Sequence, residues 1–415
     1  MYRLFFKSIY SRLFPFVLIV ICLAASITML LSIERVKNGT KESFSQSISG
    51  VDTIIGPRGS ALELVLYSVF HVGNPTNNIT YKTFEDISKI KEVDWIVPIA
   101  LGDSYKGYRV IATNTDYFKK IKHSGNKEIS LSKGSFQLGT NNVVIGSELA
   151  KKLNLKINQE IFITHGQNDK IGNSHDDYGF QVSGILKTTG TPIDKALFIS
   201  LEGYELVHLG WKSGRKLFSI KDFDIASIPK ENLKSSTITA AFVGLKSKIT
   251  TFKFTKKIRD YKEEPISAVI PGIALAELWS IIGIVDKGFD FLSWLIIVIS
   301  LIAMITLIMT SLESRKREMM IYRANGASPV DLSKMVILEA ALIGLVSIFI
   351  SLSILAVFNY FAADYLNNVF GVSTQFNLIT PDEALTLLTI FIIALISSFI
   401  PAIIIYRKNL NQSLS

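Results

Sequence analysis

The sequence predicts an α-helical membrane protein with four spans and a large α+β extracytoplasmic domain inserted between spans 1 and 2. Three observations predict it: long uncharged apolar runs at four places, a long polar segment between the first two of them, and strand and helix patterns interleaved through that segment. Composition agrees. Of 415 residues, 48% are hydrophobic and only 19% charged, with a mean hydropathy of +0.35, more apolar than an ordinary soluble protein.

Residues 1–12 carry Arg3, Lys7 and Arg12 and read as a cytoplasmic N-terminus. Residues 13–33 hold no charge and, at about twenty residues, can cross a hydrocarbon core of roughly 30 Å as a helix; 289–312, 335–361 and 384–406 are as long and hold only Asp290 and Glu339 as charged residues. A cleaved signal peptide also has a basic start and an apolar core. This run is longer than a signal core, and Ser32-Ile33-Glu34-Arg35 is a poor cleavage site, so span 1 is expected to stay. Cys22, the only cysteine, follows the bulky Ile21 and reads as a buried thiol rather than a lipid anchor, and a single cysteine allows no disulfide within the chain.

Cations fix the orientation. Arg315, Lys316, Arg317, Arg323 and Lys334 lie in the loop 313–334, and Arg407 and Lys408 open the tail 407–415, whereas the short loop 362–383 has neither Lys nor Arg. The positive-inside rule then puts both termini and 313–334 in the cytoplasm and the segment 34–288 outside. The net charge of +9 is scattered or sits at membrane edges without a nucleic-acid motif, so no nucleic-acid partner is expected.

Within 34–288, the polar stretch Glu34 to Gly50 is expected to continue span 1 as a helix. Strand patterns follow at 93–99, 108–113, 142–145, 160–164, 180–186, 196–200 and 239–245, with helix patterns at Thr80 to Glu92 and from a capping Ser147 to Leu153. Such interleaving argues an α+β domain with its own core, complete by about Asp260. Pro265 and Pro271 then break the pattern, and Ile273 to Val285 resumes helical periodicity up to span 2, either as a stalk or as an interfacial amphipathic helix.

Absences narrow the chemistry. The chain has no Gly-x-x-x-x-Gly-Lys-Ser/Thr phosphate loop, no His-Glu-x-x-His and no Gly-x-Ser-x-Gly, so no catalytic residue is expected and any ATP-derived energy must come from elsewhere. Glu339 is the clearest ionisable residue in a span and is expected to reach for the nearby interface. Two further features concern ligands. Ala61 to His71, with Leu62, Leu64, Leu66 and Phe70, could line a path for a hydrophobic substrate or be an ordinary core element. His165, His175, Asp176 and Asp177 bracket a polar run and suit Zn²⁺ or a similar metal, or form a solvated turn.

The most specific segment is Glu313 to Leu332, where a charge cluster, the apolar Met319-Met320-Ile321, an Asn325-Gly326 break and a helix start at Ser328-Pro329 describe a short helix at a membrane surface that turns back into it. A solvated basic loop would explain Arg315 to Arg317, but neither the apolar Met319 to Ile321 nor the run Asn325 to Pro329. The segment resembles the loop between the second and third spans of the four-helix ABC permeases, the family of the macrolide exporter, the lipoprotein-releasing permeases and the cell-division permease. The stretches Val143 to Ile161 and Phe180 to Gly190 also resemble the periplasmic domain of that MacB/FtsX-like, type VII family.

The resemblance implies that 313–334 carries a coupling helix docking into a separate ABC ATPase. There Glu318, Met319, Met320 and Ile321 form the docking helix, Arg323 faces the partner, Gly326 supplies the turn, and Ala327 and Ser328 admit close approach. It further implies a bacterial inner-membrane permease working as a dimer with a second copy or paralogue, with ATP and Mg bound by the ATPase and no cofactor in this chain. Stalk helices would then transmit motion to the periplasmic domain and move a lipoprotein, lipid, small molecule or metal-related cargo, with a periplasmic lipoprotein, adaptor or binding protein as a further partner. The cell-division member points to an alternative, a regulatory permease that activates a cell-wall hydrolase without transport. A membrane-anchored sensor or adhesion protein without an ATPase is the reading from a different class.

Overall fold

The structure, a computed structural model, describes residues 13–47, 49–123, 126–165, 174–209, 211–212, 215–216, 233–314, 316–370 and 379–411. The chain divides into two compact units, one built on the span helices and the other on residues 40–282.

Helix α1 (Leu13–Gln46) runs unbroken through the expected span and its polar continuation. The inserted domain then forms a sheet of ten strands: β1 (Thr53–Pro57), β2 (Val93–Tyr105), β3 (Tyr108–Thr113), β4 (Leu131–Gly134), β5 (Asn142–Ile145), β6 (Glu160–His165), β7 (Ser174–Leu186), β8 (Leu197–Ser200), β9 (Ala240–Leu245) and β10 (Ile266–Val269). Their order is β10-β1-β9-β2-β3-β8-β5-β7-β4, with β6 bonded to both β7 and β2. β2 joins the two halves: its first part pairs with β9, as Val97 opposite Phe242, and its second part pairs with β3 and β6.

Side chains alternate across a strand, and here both faces are covered. Ile55, Val110, Ala112, Val143, Ile145, Leu197 and Ile199 enter one core; their neighbours Ile54, Ile111, Val144 and Phe198 enter the other. That is why these strands read as continuous apolar runs. The helices α2 (Ala61–Val69), α3 (Tyr81–Ser88), α4 (Asp116–Lys120), α5 (Ser147–Lys152), α6 (Leu201–His208) and α7 (Thr251–Arg259) supply much of the cover. Thr80 caps α3, its side chain accepting from the Thr83 N–H. For α5 the cap differs from the expected Ser147: Gly146 takes that position, because a Cβ there would lie 2.4 Å from the Asp194 backbone, and Ser147 becomes the first helical residue.

The break expected between Pro265 and Pro271 is instead the edge strand β10, paired to β1 with Val269 opposite Ile54. Pro265 and Pro271 bound the strand rather than interrupt a helix, a placement proline tolerates.

Helices α8 (Pro271–Ser314), α9 (Lys316–Ala324), α10 (Pro329–Phe370) and α11 (Pro381–Asn411) follow, and among the described residues four segments are long and apolar enough to cross a membrane: Leu13–Gly39, Val285–Thr310, Pro329–Phe361 and Pro381–Ile404. Each inward stripe is narrow. Ile19, Leu23, Ile27 and Leu31 of α1 meet Ile297, Leu301, Met304 and Ile308 of α8 and Val336, Ala340 and Ile343 of α10. The opposite faces, with Phe14, Phe291, Ile302 and Phe349, are apolar and exposed, as spanning helices require. Cys22 lies on that outward face, not buried as expected, because the row Ile19-Leu23-Ile27 takes the inside. Glu339 does not reach outward either and is only 7% exposed. Hydroxyls join the helices: Ser26 to Ser300 at 2.5 Å, Thr28 to Ser351 at 3.0 Å and Ser333 to the Ala402 carbonyl at 3.2 Å.

The edge strand sets where the inserted domain can be cut. Ile266 and Val269 are buried at 1% and 8% exposure, and burying two such side chains contributes about 3–6 kcal/mol, comparable to a whole domain's net stability. A fragment of residues 40–282 is expected to unfold cooperatively in urea, and one ending at Asp260 at a much lower midpoint. Equal midpoints would mean that β10 is not part of the folding unit.

Candidate functional site

The segment between α8 and α10 is closed by its own hydrogen bonds. At the end of α9, the Ala327 N–H donates to the Tyr322 carbonyl at 3.0 Å and the Gly326 N–H to the Arg323 carbonyl at 2.9 Å, while Gly326 sits at φ +92°. This is a Schellman turn, whose left-handed position suits glycine. Asn325 adds its side-chain N–H to the Ile321 carbonyl at 2.8 Å. At once α10 begins with reciprocal caps: the Asp331 N–H donates to Ser328 Oγ at 3.2 Å, and the Ser328 N–H and Oγ–H donate to Asp331 Oδ2 at 3.0 and 2.6 Å. Pro329 takes the first helical position, where a missing N–H costs nothing.

The side chains of α9 divide by face. Met319 and Tyr322 pack against the core of the span unit, whereas Met320 and Ile321 are 56% and 58% exposed. The three apolar residues of this stretch therefore do not form one docking face: helical spacing turns Met319 inward with Tyr322. Arg323 is half-buried, Gly326 and Ser328 are exposed, and Ala327 is half-buried; the side chain of Glu318 lies outside the described residues. Tyr322, Asn325, Gly326, Ala327, Asp331, Leu332 and Met335 line a cleft of about 340 Å³ beside the turn. No atom lies within 4 Å of a Cβ placed on Gly326, so only backbone conformation demands glycine there.

A second cleft, of about 440 Å³, lies where α1, α8 and α11 meet, lined by Glu34, Lys37, Asp290, Trp294 and apolar residues such as Leu30 and Ile390. Beside it Arg35 and Glu383 form a bidentate pair at 2.6 and 3.0 Å, and Lys37 lies 3.3 Å from Asp290.

In the inserted domain, Leu64 and Phe70 are buried, Leu66 packs against the same core, and Leu62 is half-buried. His165 ends β6, and His175, Asp176 and Asp177 lie on β7; their side chains and residues 166–173 between them lie outside the described residues. Among the described residues, no three His, Cys, Asp or Glu side chains gather as a metal set.

The sequence reading passed over Asp103 and His208. Asp103 on β2 is 0% exposed. His208, at the end of α6, places Nε2 3.6 Å from Asp103 Oδ1 and Nδ1 2.7 Å from the Tyr204 carbonyl. Burial works against a charged imidazole, but the Asp103 carboxylate and the Tyr204 carbonyl outweigh it and raise the ring's pKa. The available signal was an aspartate ending the apolar run Ile96 to Leu101.

Residues 17–261 match the family model described as the MacB-like periplasmic core domain, over more than half of the chain, and residues 291–410 match that of the FtsX-like permease C-terminal region. The chain belongs to the MacB/FtsX-like permease family. Similar solved structures include the periplasmic region of MacB from Actinobacillus actinomycetemcomitans, 11% identical with a TM-score of 0.32, covering 56% of this chain and 94% of that one. The extracellular domain of the noncanonic ABC-type transporter YknZ from Gram-positive bacteria is 13% identical with a TM-score of 0.31, covering 52% of this chain and 99% of that one. No curated protein matches the chain. This MacB/FtsX-like permease is thus a multi-pass membrane protein of ABC-transporter type, and the FtsX-like match includes the turn at Gly326.

The cap at Ser328 gives a local test on the permease. Ser328→Ala removes the acceptor of the Asp331 N–H, a loss of about 1 kcal/mol. Amide exchange over the first turn of α10 is expected to quicken about fivefold with no change elsewhere. Unchanged exchange would mean that the Asp331 N–H does not depend on this bond.

Proposed function

We propose that the permease is the membrane subunit of a bacterial inner-membrane ABC transporter, with both termini cytoplasmic, working as a dimer with a separate ATPase. The ATPase binds ATP and Mg and grips α9 and the Gly326 turn. The displacement passes along α1 and α8 to the inserted domain on the outer side, which moves a cargo from the periplasm or outer leaflet.

The observation that carries this reading is the internally bonded unit of α9, Schellman turn and capping box, with Met320 and Ile321 exposed on it. These local bonds stiffen the loop, so a force on its exposed side chains moves the helices it joins. Continuity supports the second half of the path. α8 holds Ala274 and Leu275 in the core of the inserted domain and Ile297 to Ile308 in the core of the spans, within one helix. Family membership supports the partner, because a permease of ABC type takes its energy from an ATPase and the chain carries no phosphate loop.

Two variants test the two halves of the path. Gly326→Val places a β-branched side chain at a left-handed position, a strain of roughly 1–2 kcal/mol or more. Stimulation of the ATPase by the permease is expected to fall about five- to thirtyfold while membrane insertion stays normal. Unchanged stimulation would remove the Gly326 turn from the docking site. In the second, several Gly-Ser residues inserted after Ser280 turn that stretch of α8 into flexible coil. ATPase binding and basal hydrolysis are expected to survive and cargo release to be lost. Release at the normal rate would show that motion does not travel through α8.

A further inference from the structure

We propose that the exposed tip around Ile249 and Phe252 is a lipid-contacting surface, by which the inserted domain rests on the anionic headgroups of the bilayer that its own chain spans. The inference needs only the membrane spans, not the ATPase or the orientation proposed above.

The tip is formed by α7 and the 3₁₀ turn that leads into it (Lys248–Thr250). α7 is two-faced. Phe254 and Ile258 are buried in one core of the domain, with Thr251 and Thr255 beside them. The other face carries Phe252, 71% exposed, with Lys253 and Lys256, and Ile249 just before it is 91% exposed. A lone exposed apolar side chain means little. These two, however, are the most exposed large apolar side chains among the described residues of the domain, and they stand three positions apart within a ring of lysines.

Lys246, Lys248, Lys253, Lys256 and Lys257 are all exposed. The Lys246 N–H donates to the Glu92 carbonyl, which brings the exposed Lys89 and Lys91 to the same end of the sheet. The acids there are Asp52, Asp86, Glu92 and Asp94, fewer than the lysines. Glu92 is shared by Lys253 and Lys257 at 3.5 and 3.7 Å, Asp86 lies 3.8 Å from Lys89, and Asp52 accepts from the Leu245 N–H. Apolar side chains ringed by ammonium groups suit an anionic lipid surface, where the first enter the headgroup layer and the second meet phosphates.

An acidic protein would also satisfy the lysines, but strand register favours the bilayer. β9 runs toward the tip with Val243 opposite Thr53, where the chain enters the sheet from α1, and Val269 opposite Ile54 puts its exit into α8 at the same end. Leu278 and Trp279 of α8 still pack against the domain's core, and the apolar segment begins at Val285. About six helical residues lie between, roughly 9 Å of rise, beside a headgroup layer roughly 5–7 Å deep. The tether therefore keeps this end of the domain within reach of the headgroups.

The test uses the full chain in lipid nanodiscs, in a Cys22→Ser background, with a fluorophore attached in turn at Ile249→Cys and Phe252→Cys. In phosphatidylcholine with about 30% phosphatidylglycerol, quenching by acrylamide in the water is expected to be about fivefold weaker than in phosphatidylcholine alone, and the protection to vanish in roughly 0.5 M NaCl. Lys248→Glu combined with Lys256→Glu is expected to abolish the protection without changing the unfolding transition, since both side chains are exposed. β2 carries the chain to the opposite end of the sheet, so a label at Lys106→Cys is expected to be quenched alike in both discs. Equal quenching of the tip in both lipids, protection that survives the double charge reversal, or protection equally strong at Lys106→Cys would each overturn the proposal. Protection already complete in lipid-free detergent would overturn it too, and assign the tip to a protein contact.

Discussion

Hydrocarbon offers a peptide group nothing to bond with, and most of the span unit follows from that. N–H and C=O groups at that depth pair within their own helices, so α1, α8, α10 and α11 stay helical through their apolar segments, although Pro401 in α11 has no N–H to donate. Hydroxyls obey the same constraint. Ser26, Thr28 and Ser300 lie within bonding distance of the carbonyls of Cys22, Ala24 and Ile296, at 2.9, 2.7 and 2.8 Å, so each shares its one proton between its own helix and a hydroxyl on a neighbouring one. Where the chain reverses between α9 and α10, outside the apolar runs, the turn still pairs the N–H groups of Gly326, Ala327, Ser328 and Asp331 locally, which fixes the backbone at Gly326 and Ser328.

The inserted domain meets the opposite problem, since water competes for every backbone bond and a single cysteine rules out a disulfide within the chain. Its answer is a sheet buried on both faces, with β2 long enough to serve both halves. That arrangement makes alternate residues of one strand answer to different cores. It also places a polar residue such as Asp103 where it must find partners inside the protein.

The spans and the Gly326 turn were legible because their signals are local. Twenty uncharged residues, or Asn-Gly followed by Ser-Pro, need no knowledge of the rest of the chain. Interleaved strands and helices gave the inserted domain's class for the same reason. Strands β1, β4 and β10 were missed because they are short and carry Gly or border Pro, and only pairing with distant partners makes them strands. Facing was hidden too: nothing in the composition tells that Cys22 and Met320 point out while Met319 and Glu339 turn in. Asp103 and His208 come together only through the stacking of α6 on the sheet, which no spacing rule encodes.

The ion pair between α1 and α11 has a consequence for how this chain can change over generations. Arg35 and Glu383 sit 348 positions apart, yet the Glu383 side chain is only 4% exposed and Arg35 holds it with both arms of its guanidinium. Losing either one strands a buried charge, a penalty of several kcal/mol, while replacing both by apolar residues of similar volume is often neutral or better. Single steps at either position are therefore closed and paired steps open. The fold thus ties the choice of residue at one position to the choice at the other.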